Sequence, residues 1–322
     1  MNQTQVVANN YSKKNKKNSH MNDSTFRRVV KKRGLYLMLV PGLLYFLIFK
    51  YFTMWGLLIS FQDYSPFLGF FHSKWVGLAN FQKFFSDGVF ILLLKNTFYI
   101  AILNIVVYFP LPIIIALLLN EVRKERFKKT IQTLIYIPHF FSWVIIVGLT
   151  FIFLNADDGV INAIIKSYGG QPVSVLLRPD LFRPLITLQV IWKECGWGTI
   201  IFLAALSGVD VALYEAAIVD GANRWKQLLH ITLPAIRSTI IILLILRLGA
   251  FLDTGFEQLY LMITPLTRQV GEVFDTYVYT NGVQQGNLSY TTAVGLFKSV
   301  VGLILIFASN KLASKFGEEG IF

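Results

Sequence analysis

Long apolar runs are the feature that most restricts what this chain can fold into. A helix needs about 20 consecutive, mostly apolar residues to cross the hydrocarbon core of a bilayer. Of the 322 residues, 54% are hydrophobic and only 15% are charged, whereas a soluble domain carries about 25% charged residues. We therefore predict an all-α, polytopic membrane protein. Its predicted spans are residues 34–61, 96–120, 130–154, 181–206, 233–258 and 291–310.

Positive charge is concentrated at the N-terminus and in the segments on one side of the predicted spans. Residues 1–33 hold nine Lys and Arg residues against one acid, and their side of the membrane holds eighteen against six opposite. Because cytoplasmic segments carry the excess of Lys and Arg, both termini are predicted to be cytoplasmic. A basic segment can also bind nucleic acid, but no aromatic-rich binding fold accompanies this one. We interpret 1–33 and 312–322 as cytoplasmic tails around a transmembrane domain at 34–311.

One cytoplasmic segment, residues 209–233, is too polar to cross the membrane and is strongly patterned. Residues 215–220 are predicted to form a short helix that opens at Glu215, where an acid suits the positive end of the helix dipole, and Gly221 is expected to end that helix. Asn223 can cap a second helix that leads into the fifth span. The pattern predicts two short helices joined by a glycine, which form a rigid, charged projection on the cytoplasmic face.

The order of residues in this segment resembles the EAA loop of ABC importer permeases. Glu215-Ala216-Ala217 is followed by Gly221, four residues after the last alanine, and later by Ile-Thr-Leu-Pro at 231–234. The wider chain, over about 34–311, is similar to the polysaccharide-type branch of the maltose-permease-like carbohydrate permeases. Further segments that carry the resemblance are 204–210, 256–258, 275–279 and 295–302.

The resemblance implies a six-span, type I ABC importer permease in the bacterial cell membrane that imports an oligosaccharide or polysaccharide fragment. It also implies a second homologous permease subunit in a heterodimer, two copies of a cytoplasmic ATPase and an extracellular solute-binding protein. In the family the EAA loop is the coupling helix that seats in a cleft of the ATPase. The coupling residues implied here are Glu215, Ala216, Ala217, Asp220, Gly221 and Arg224.

Sequence motifs for chemistry are missing from this chain. It has no Gly-x-x-x-x-Gly-Lys-[Ser/Thr] loop, so ATP and magnesium are expected to bind the partner ATPase rather than this chain. The four histidines lie far apart without zinc-type spacing, and no nucleophile elbow is present. The single cysteine, Cys195, is expected to be a buried small residue. We therefore predict a permease without enzymatic activity, catalytic residues or a metal.

Polar residues inside predicted spans four to six form a second candidate site. A charge at a helix centre is costly in lipid, so these groups should face the bundle interior or a cavity. Two interpretations remain open: a polar, aromatic-lined pathway for sugar, or interhelical ion pairs that hold the bundle together. Lys298 is expected to pair with Asp253 or Glu194. The candidate pathway residues are Gln189, Trp192, Glu194, Trp197, Arg247, Asp253 and Glu257.

Three further expectations follow from the sequence. Pro110 and Pro112 should bend or break the second span, because proline removes a backbone donor. The aromatic-rich outer segments could be a docking surface for an external partner or an ordinary interfacial belt. An alternative function is a secondary transporter that uses the intramembrane charges as a proton relay; this alternative leaves the EAA loop without a role.

Overall fold

The structure, a computed structural model, describes residues 32–315, so almost all of the predicted tail at 1–33 lies outside the described residues. The chain divides into two units at residues 58 and 59. In the first unit, the described part belongs to helix α1 (Arg33–Phe61), which passes from α-helix into a π-helical turn at Leu47–Tyr51. None of the side chains from Arg33 to Tyr51 is buried. This apolar surface suits contact with lipid or with another chain.

Within residues 59–315, the second unit is helical apart from one short antiparallel ribbon. Strands β1 (Gln62–Asp63) and β2 (Lys74–Trp75) pair with Gln62 opposite Trp75. The helices are α2 (Gly69–His72), α3 (Ala79–Ser86), α4 (Gly88–Asn120), α5 (Glu125–Phe140), α6 (Trp143–Leu154), α7 (Val160–Ser167), α8 (Pro179–Ser207), α9 (Val211–Val219), α10 (Arg224–Ala235), α11 (Arg237–Gly249), α12 (Phe256–Met262), α13 (Arg268–Gly271), α14 (Phe274–Tyr277) and α15 (Leu288–Lys315). A 3₁₀ turn at Val175–Leu177 precedes α8, and a π-helical segment at Val278–Gln284 continues α14.

The helices account for the predicted membrane spans. Four of those in the described part of the chain are long and apolar enough to cross a bilayer: α1, α4, α8 and, within α15, Leu288–Leu312. Two bent pairs, α5 with α6 at 100° and α10 with α11 at 58°, raise the number to six if each pair is one span. Helix α15 extends into the segment 312–322 that was predicted as a tail.

The second span continues through its prolines, so of the two predicted outcomes, a bend or a break, the break does not occur. Helix α4 continues through Pro110 and Pro112 because a π-helical turn at Asn104–Tyr108 precedes them. In that turn, the backbone N–H of Phe109 donates to the carbonyl of Asn104 at 3.0 Å. A π-turn shifts the hydrogen-bond register, which lets a helix accommodate a missing donor without ending.

The third span breaks sharply at its proline. Helix α5 ends in a 3₁₀ turn, Ile137–Phe140, that contains Pro138. Helix α6 then starts afresh, with the hydroxyl of Ser142 accepting from the N–H of Ile145 as an N-cap. The resulting elbow leaves the last carbonyls of α5 without helical partners, and a side chain of α8 satisfies them, as described below.

The fifth span is shorter than predicted, which corrects the placement of two candidate residues. Helix α11 ends at Gly249, and the chain is non-helical until Gly255, whose φ of +85° lies in the left-handed region that glycine adopts readily. Asp253 and Glu257 therefore lie beyond the span, and both are exposed. The predicted end at residue 258 falls inside the next helix, α12.

Helix α8 packs at the centre of the bundle through glycines. A side chain at Gly196 would collide with the carbonyl of Ile135 on α5, and one at Gly198 would press on Pro112 of α4. Small residues allow helix backbones to approach this closely in membranes. Cys195 is buried beside them, as predicted. A core next to α8 is formed by Ile100, Val147, Phe182, Ile186, Leu259, Met262 and Val273.

Candidate functional site

The segment 209–233 folds into a helical hairpin, which we call the 209–233 hairpin. Helix α9 ends in a Schellman motif: the N–H of Ala222 donates to the carbonyl of Ala217, and the N–H of Gly221 donates to that of Ile218. Gly221 has a φ of +72°, the left-handed conformation that this motif requires. The predicted helix end at Gly221 is confirmed.

Both arms of the 209–233 hairpin are fixed by side-chain hydrogen bonds. The carboxylate of Asp210 caps α9 by accepting from the N–H of Ala212, and Asn223 caps α10 by accepting from the N–H of Lys226, both at 2.9 Å. The hydroxyls of Tyr214 and Thr232 bond across the arms at 3.0 Å. Helix α9 thus begins at Val211 rather than at Glu215, so the prediction that Glu215 opens the helix is wrong.

The outer surface of the hairpin combines charge with exposed apolar groups. Glu215, Ala216 and Asp220 are exposed, whereas Ala217 is half-buried. Val219 is 87% exposed and Trp225 is 72% exposed. Arg224 forms an ion pair with Glu121, which follows α4 and so ties the hairpin to the second span. Apolar groups this exposed beside charges are typical of a surface that another protein covers.

Among the candidate pathway residues, Gln189 belongs to a buried hydrogen-bond network. Its amide donates to Thr150 on α6 at 2.7 Å, and its amide oxygen accepts from Gln258 on α12 at 2.8 Å. Gln258 also donates to the carbonyl of Ile186. Gln189 therefore joins α8 to α6 and α12 through hydrogen bonds rather than through an ion pair. Trp192 is about half exposed and borders a mostly apolar pocket of about 330 Å³ with Gln189.

Replacing Gln258 with leucine should destabilise the protein by about 2 kcal/mol. The substitution leaves the amide oxygen of Gln189 without its donor in the bundle interior, where an unsatisfied polar group costs about 1–3 kcal/mol. Thermal unfolding of the purified protein in detergent measures the effect. Gln284→Leu is the matched control, because Gln284 is exposed and bonds only to Tyr260 among the described residues. Equal melting temperatures for the two variants would contradict this prediction.

The elbow between α5 and α6 gathers a second set of candidate residues. Lys193, which is 7% exposed, donates to the carbonyls of His139 and Phe141 at 2.7 Å each. Glu194 bonds the imidazole Nδ1 of His139 at 2.8 Å and lies 3.5 Å from the Lys193 ammonium. The Lys193 ammonium thus satisfies carbonyls that the break exposes, and Glu194 balances its charge. For Glu194, the structure favours the ion-pair interpretation.

Trp197 and Arg247 meet at a separate groove of about 290 Å³. The indole of Trp197 stacks on the imidazole of His139 with ring centroids 4.4 Å apart and planes 6° apart. The guanidinium of Arg247 lies 5.3 Å from the ring centroid of Tyr108. The groove therefore offers two aromatic faces and one cation, and its wall is completed by apolar side chains of α4, α8 and α11.

The remaining charged residues are arranged differently from the prediction. Asp253 borders a small void beside Arg247, whereas Glu257 is exposed on α12. Lys298 bonds both carboxylate oxygens of Asp275 at 2.6 Å, so the expected pairing with Asp253 or Glu194 is wrong. The partner comes from the short helix α14, because the fifth span ends before it can supply one.

Sequence reasoning missed His139 and Tyr108, which join the elbow to the groove. Both are polar residues within predicted apolar spans, and that position was the available signal. The sequence does not show the 100° bend that follows Phe140, nor that His139 lies against Glu194 and Trp197 of α8. Thr150 was missed for a similar reason, since a hydroxyl on an apolar helix is often bonded to its own backbone.

The helical bundle with its protruding hairpin defines a polytopic membrane permease, and comparisons with known proteins agree. Residues 108–317 match the family model "Binding-protein-dependent transport system inner membrane component". Protein LplB of Bacillus subtilis is 60% identical over 90% of this chain and 91% of its own. The polygalacturonan/rhamnogalacturonan transport system permease protein YteP of Bacillus subtilis is 57% identical over 92% of each chain.

A solved structure gives the same result for the fold. A chain of the bacterial alginate ABC transporter, crystallised with its alginate pentasaccharide-bound periplasmic protein, superposes with a TM-score of 0.84 at 38% identity. The match covers 92% of this chain and 99% of that chain. This chain belongs to the family of binding-protein-dependent transport system inner membrane components, and it has the type I ABC importer permease fold. It is a multi-pass protein of the bacterial membrane.

Proposed function

We propose that this chain is one permease subunit of an ATP-driven importer that carries an oligosaccharide or polysaccharide fragment into the cytoplasm. The observation that carries the proposal is the 209–233 hairpin, a rigid projection whose exposed surface includes Glu215, Val219 and Trp225. The relatives named above support the carbohydrate, since YteP is a polygalacturonan/rhamnogalacturonan permease and the solved transporter imports alginate.

The proposed coupling role follows from the mechanics of the hairpin. Two caps, the Schellman motif and the Tyr214–Thr232 bond fix its internal geometry, so a push on its tip is transmitted as motion of the whole element. Helix α10 continues through a 58° bend into α11, which carries Arg247 at its far end. Closure of a docked ATPase would therefore move the wall of the groove.

The proposed assembly contains a second, homologous permease subunit, two copies of a cytoplasmic ATPase and an extracellular solute-binding protein. ATP and magnesium bind the ATPase in this assembly, and this chain performs no hydrolysis. The excess of Lys and Arg in the tails and in the segments on the same side supports a cytoplasmic location for both termini and for the 209–233 hairpin. The exposed aromatic side chains Phe67, Phe71 and Trp75, on the opposite side by this topology, suit the binding protein or the membrane interface.

The test is sugar-dependent ATP hydrolysis by the reconstituted assembly. The permease pair, the ATPase and the sugar-loaded binding protein are combined in lipid vesicles, and both ATP hydrolysis and uptake of labelled sugar are followed. We expect uptake only with ATP and stimulation of hydrolysis by the loaded binding protein. Uptake driven by a proton gradient without ATP would instead support a secondary transporter.

A further inference from the structure

Arg247 differs from Arg183, Lys193 and Lys298 in having neither a carboxylate nor a hydrogen-bond acceptor near its guanidinium within residues 32–315. Among the same residues, Arg183 also lacks a carboxylate, but it donates to the carbonyl of Val270 and to the amide oxygen of Asn96. Lys193, Arg268 and Lys298 each have a carboxylate oxygen within 4 Å, at 3.5, 3.9 and 2.6 Å respectively. Within residues 32–315, Arg247 has no carboxylate within that distance and no hydrogen-bond acceptor for its guanidinium, although Asp253 borders the same small void. An ionisable side chain inside a membrane bundle that has no partner there is by default a candidate for a substrate or ion pathway.

The surroundings of Arg247 favour an anionic sugar as its partner. The guanidinium lies at the wall of the 290 Å³ groove, 5.3 Å from the ring centroid of Tyr108, and the half-exposed indole of Trp197 lines the same groove. The nearby acid, Glu194, is engaged by His139 and Lys193. A planar guanidinium binds a carboxylate through two parallel hydrogen bonds, and aromatic faces pack against the apolar faces of sugar rings.

We propose that this groove binds a uronate unit, that is, a sugar ring carrying a carboxylate, and that Arg247 selects the charged sugar over an uncharged one. The inference rests on the proposed carbohydrate transport. The carboxylate is held by Arg247 while the ring lies against Trp197. The imidazole of His139 supports that indole from behind at 4.4 Å, and Glu194 fixes the imidazole, so the aromatic surface is held in place before sugar arrives.

A cysteine substitution with chemical restoration of the charge tests the selection. In the complete reconstituted transporter, Arg247→Cys should lower uptake of trigalacturonate by about tenfold, the effect of losing one charged contact. Uptake of its methyl ester, which has the same size without the charge, should change by less than about twofold. Treatment with 2-aminoethyl methanethiosulfonate, which attaches an ammonium, should restore acidic uptake, and uncharged methyl methanethiosulfonate should not. The natural Cys195 is buried, and the unmutated complex treated identically is the control.

Each alternative has its own outcome. Equal losses for acid and ester, or equal restoration by both reagents, would overturn the selection by charge. If Arg247→Cys no longer co-purified with the second permease subunit while Arg247→Lys did, the cation would pair with that subunit, and the inference would fail. Uptake of maltotriose but not of trigalacturonate by the unmutated complex would overturn the inference and leave carbohydrate transport standing. A complex that took up no sugar at all would remove both.

Discussion

Replacing Glu215 with lysine should lower sugar-dependent ATP hydrolysis and uptake by about tenfold or more, while the permease still inserts and folds. Among the described residues, the Glu215 carboxylate makes no hydrogen bond or ion pair, and its side chain is exposed. Its loss should therefore change the free energy of unfolding by less than about 0.5 kcal/mol. At a docked interface, by contrast, charge reversal introduces like-charge repulsion that costs several kcal/mol. Reconstituted uptake, ATP hydrolysis and co-purification of the ATPase measure the effect.

Glu125→Lys is the matched control for this variant. Glu125 is also an exposed acid and is the first residue of α5, at the end that the charge distribution puts on the same side of the membrane, but it is outside the 209–233 hairpin. The loss of an acid from the first turn of α5 lowers helix stability by about 0.3–1 kcal/mol. It removes no contact of the hairpin. If the Glu215 variant transported sugar as well as the Glu125 variant, the hairpin would not be the coupling element.

Replacing Lys193 with methionine should destabilise the bundle by about 3 kcal/mol. The ammonium satisfies two carbonyls at the elbow and neutralises Glu194, and methionine keeps most of the side-chain volume without the donors. Removing one partner of a buried pair leaves an uncompensated charge, which costs about 3–5 kcal/mol when the pair is fully buried. We use the lower value because Glu194 is partly exposed and keeps its bond to His139. A melting temperature several degrees lower in detergent is the expected result.

A double-mutant cycle separates the charge from the two carbonyl contacts. Glu194→Gln together with Lys193→Met should lose less stability than the sum of the single variants, because the double variant contains no unpaired carboxylate. Strict additivity would show that Lys193 and Glu194 act independently. An unchanged melting temperature in Lys193→Met would show that the elbow does not depend on the ammonium.

The 209–233 hairpin could be predicted from the sequence because its signals are local. Gly221 at the end of α9 and Asn223 at the start of α10 act within four residues of the groups they bond, so their spacing alone predicts the turn. The start of α9 differs from the prediction, which placed it at Glu215 within the motif. Asp210 lies outside the Glu-Ala-Ala motif, and its carboxylate sets the start of the helix by accepting from the N–H of Ala212.

The arrangement of charges in the bundle could not be predicted, because it depends on where the helices end and bend. Lys298 pairs with Asp275 only because the fifth span stops at Gly249 and the chain returns through three short helices. Lys193 reaches two carbonyls only because α5 ends in a 3₁₀ turn. Hydrophobic periodicity gives the approximate lengths of the spans. It does not distinguish an uninterrupted helix from one with a π-turn before Pro110 or one with an elbow at Pro138, because the hydropathy is the same in each case.

The close contact between Gly196 and Ile135 has a consequence for how the bundle can move. The Ile135 carbonyl occupies the space where a Cβ at position 196 would stand. Because the backbones of α5 and α8 are in such close contact, we expect that the two helices cannot slide past each other. In a change between outward-open and inward-open conformations, α5 and α8 are therefore expected to move together as one rigid body. We therefore expect the hinge of such a motion at the 58° bend between α10 and α11, so that the wall of the groove that carries Arg247 moves relative to α8.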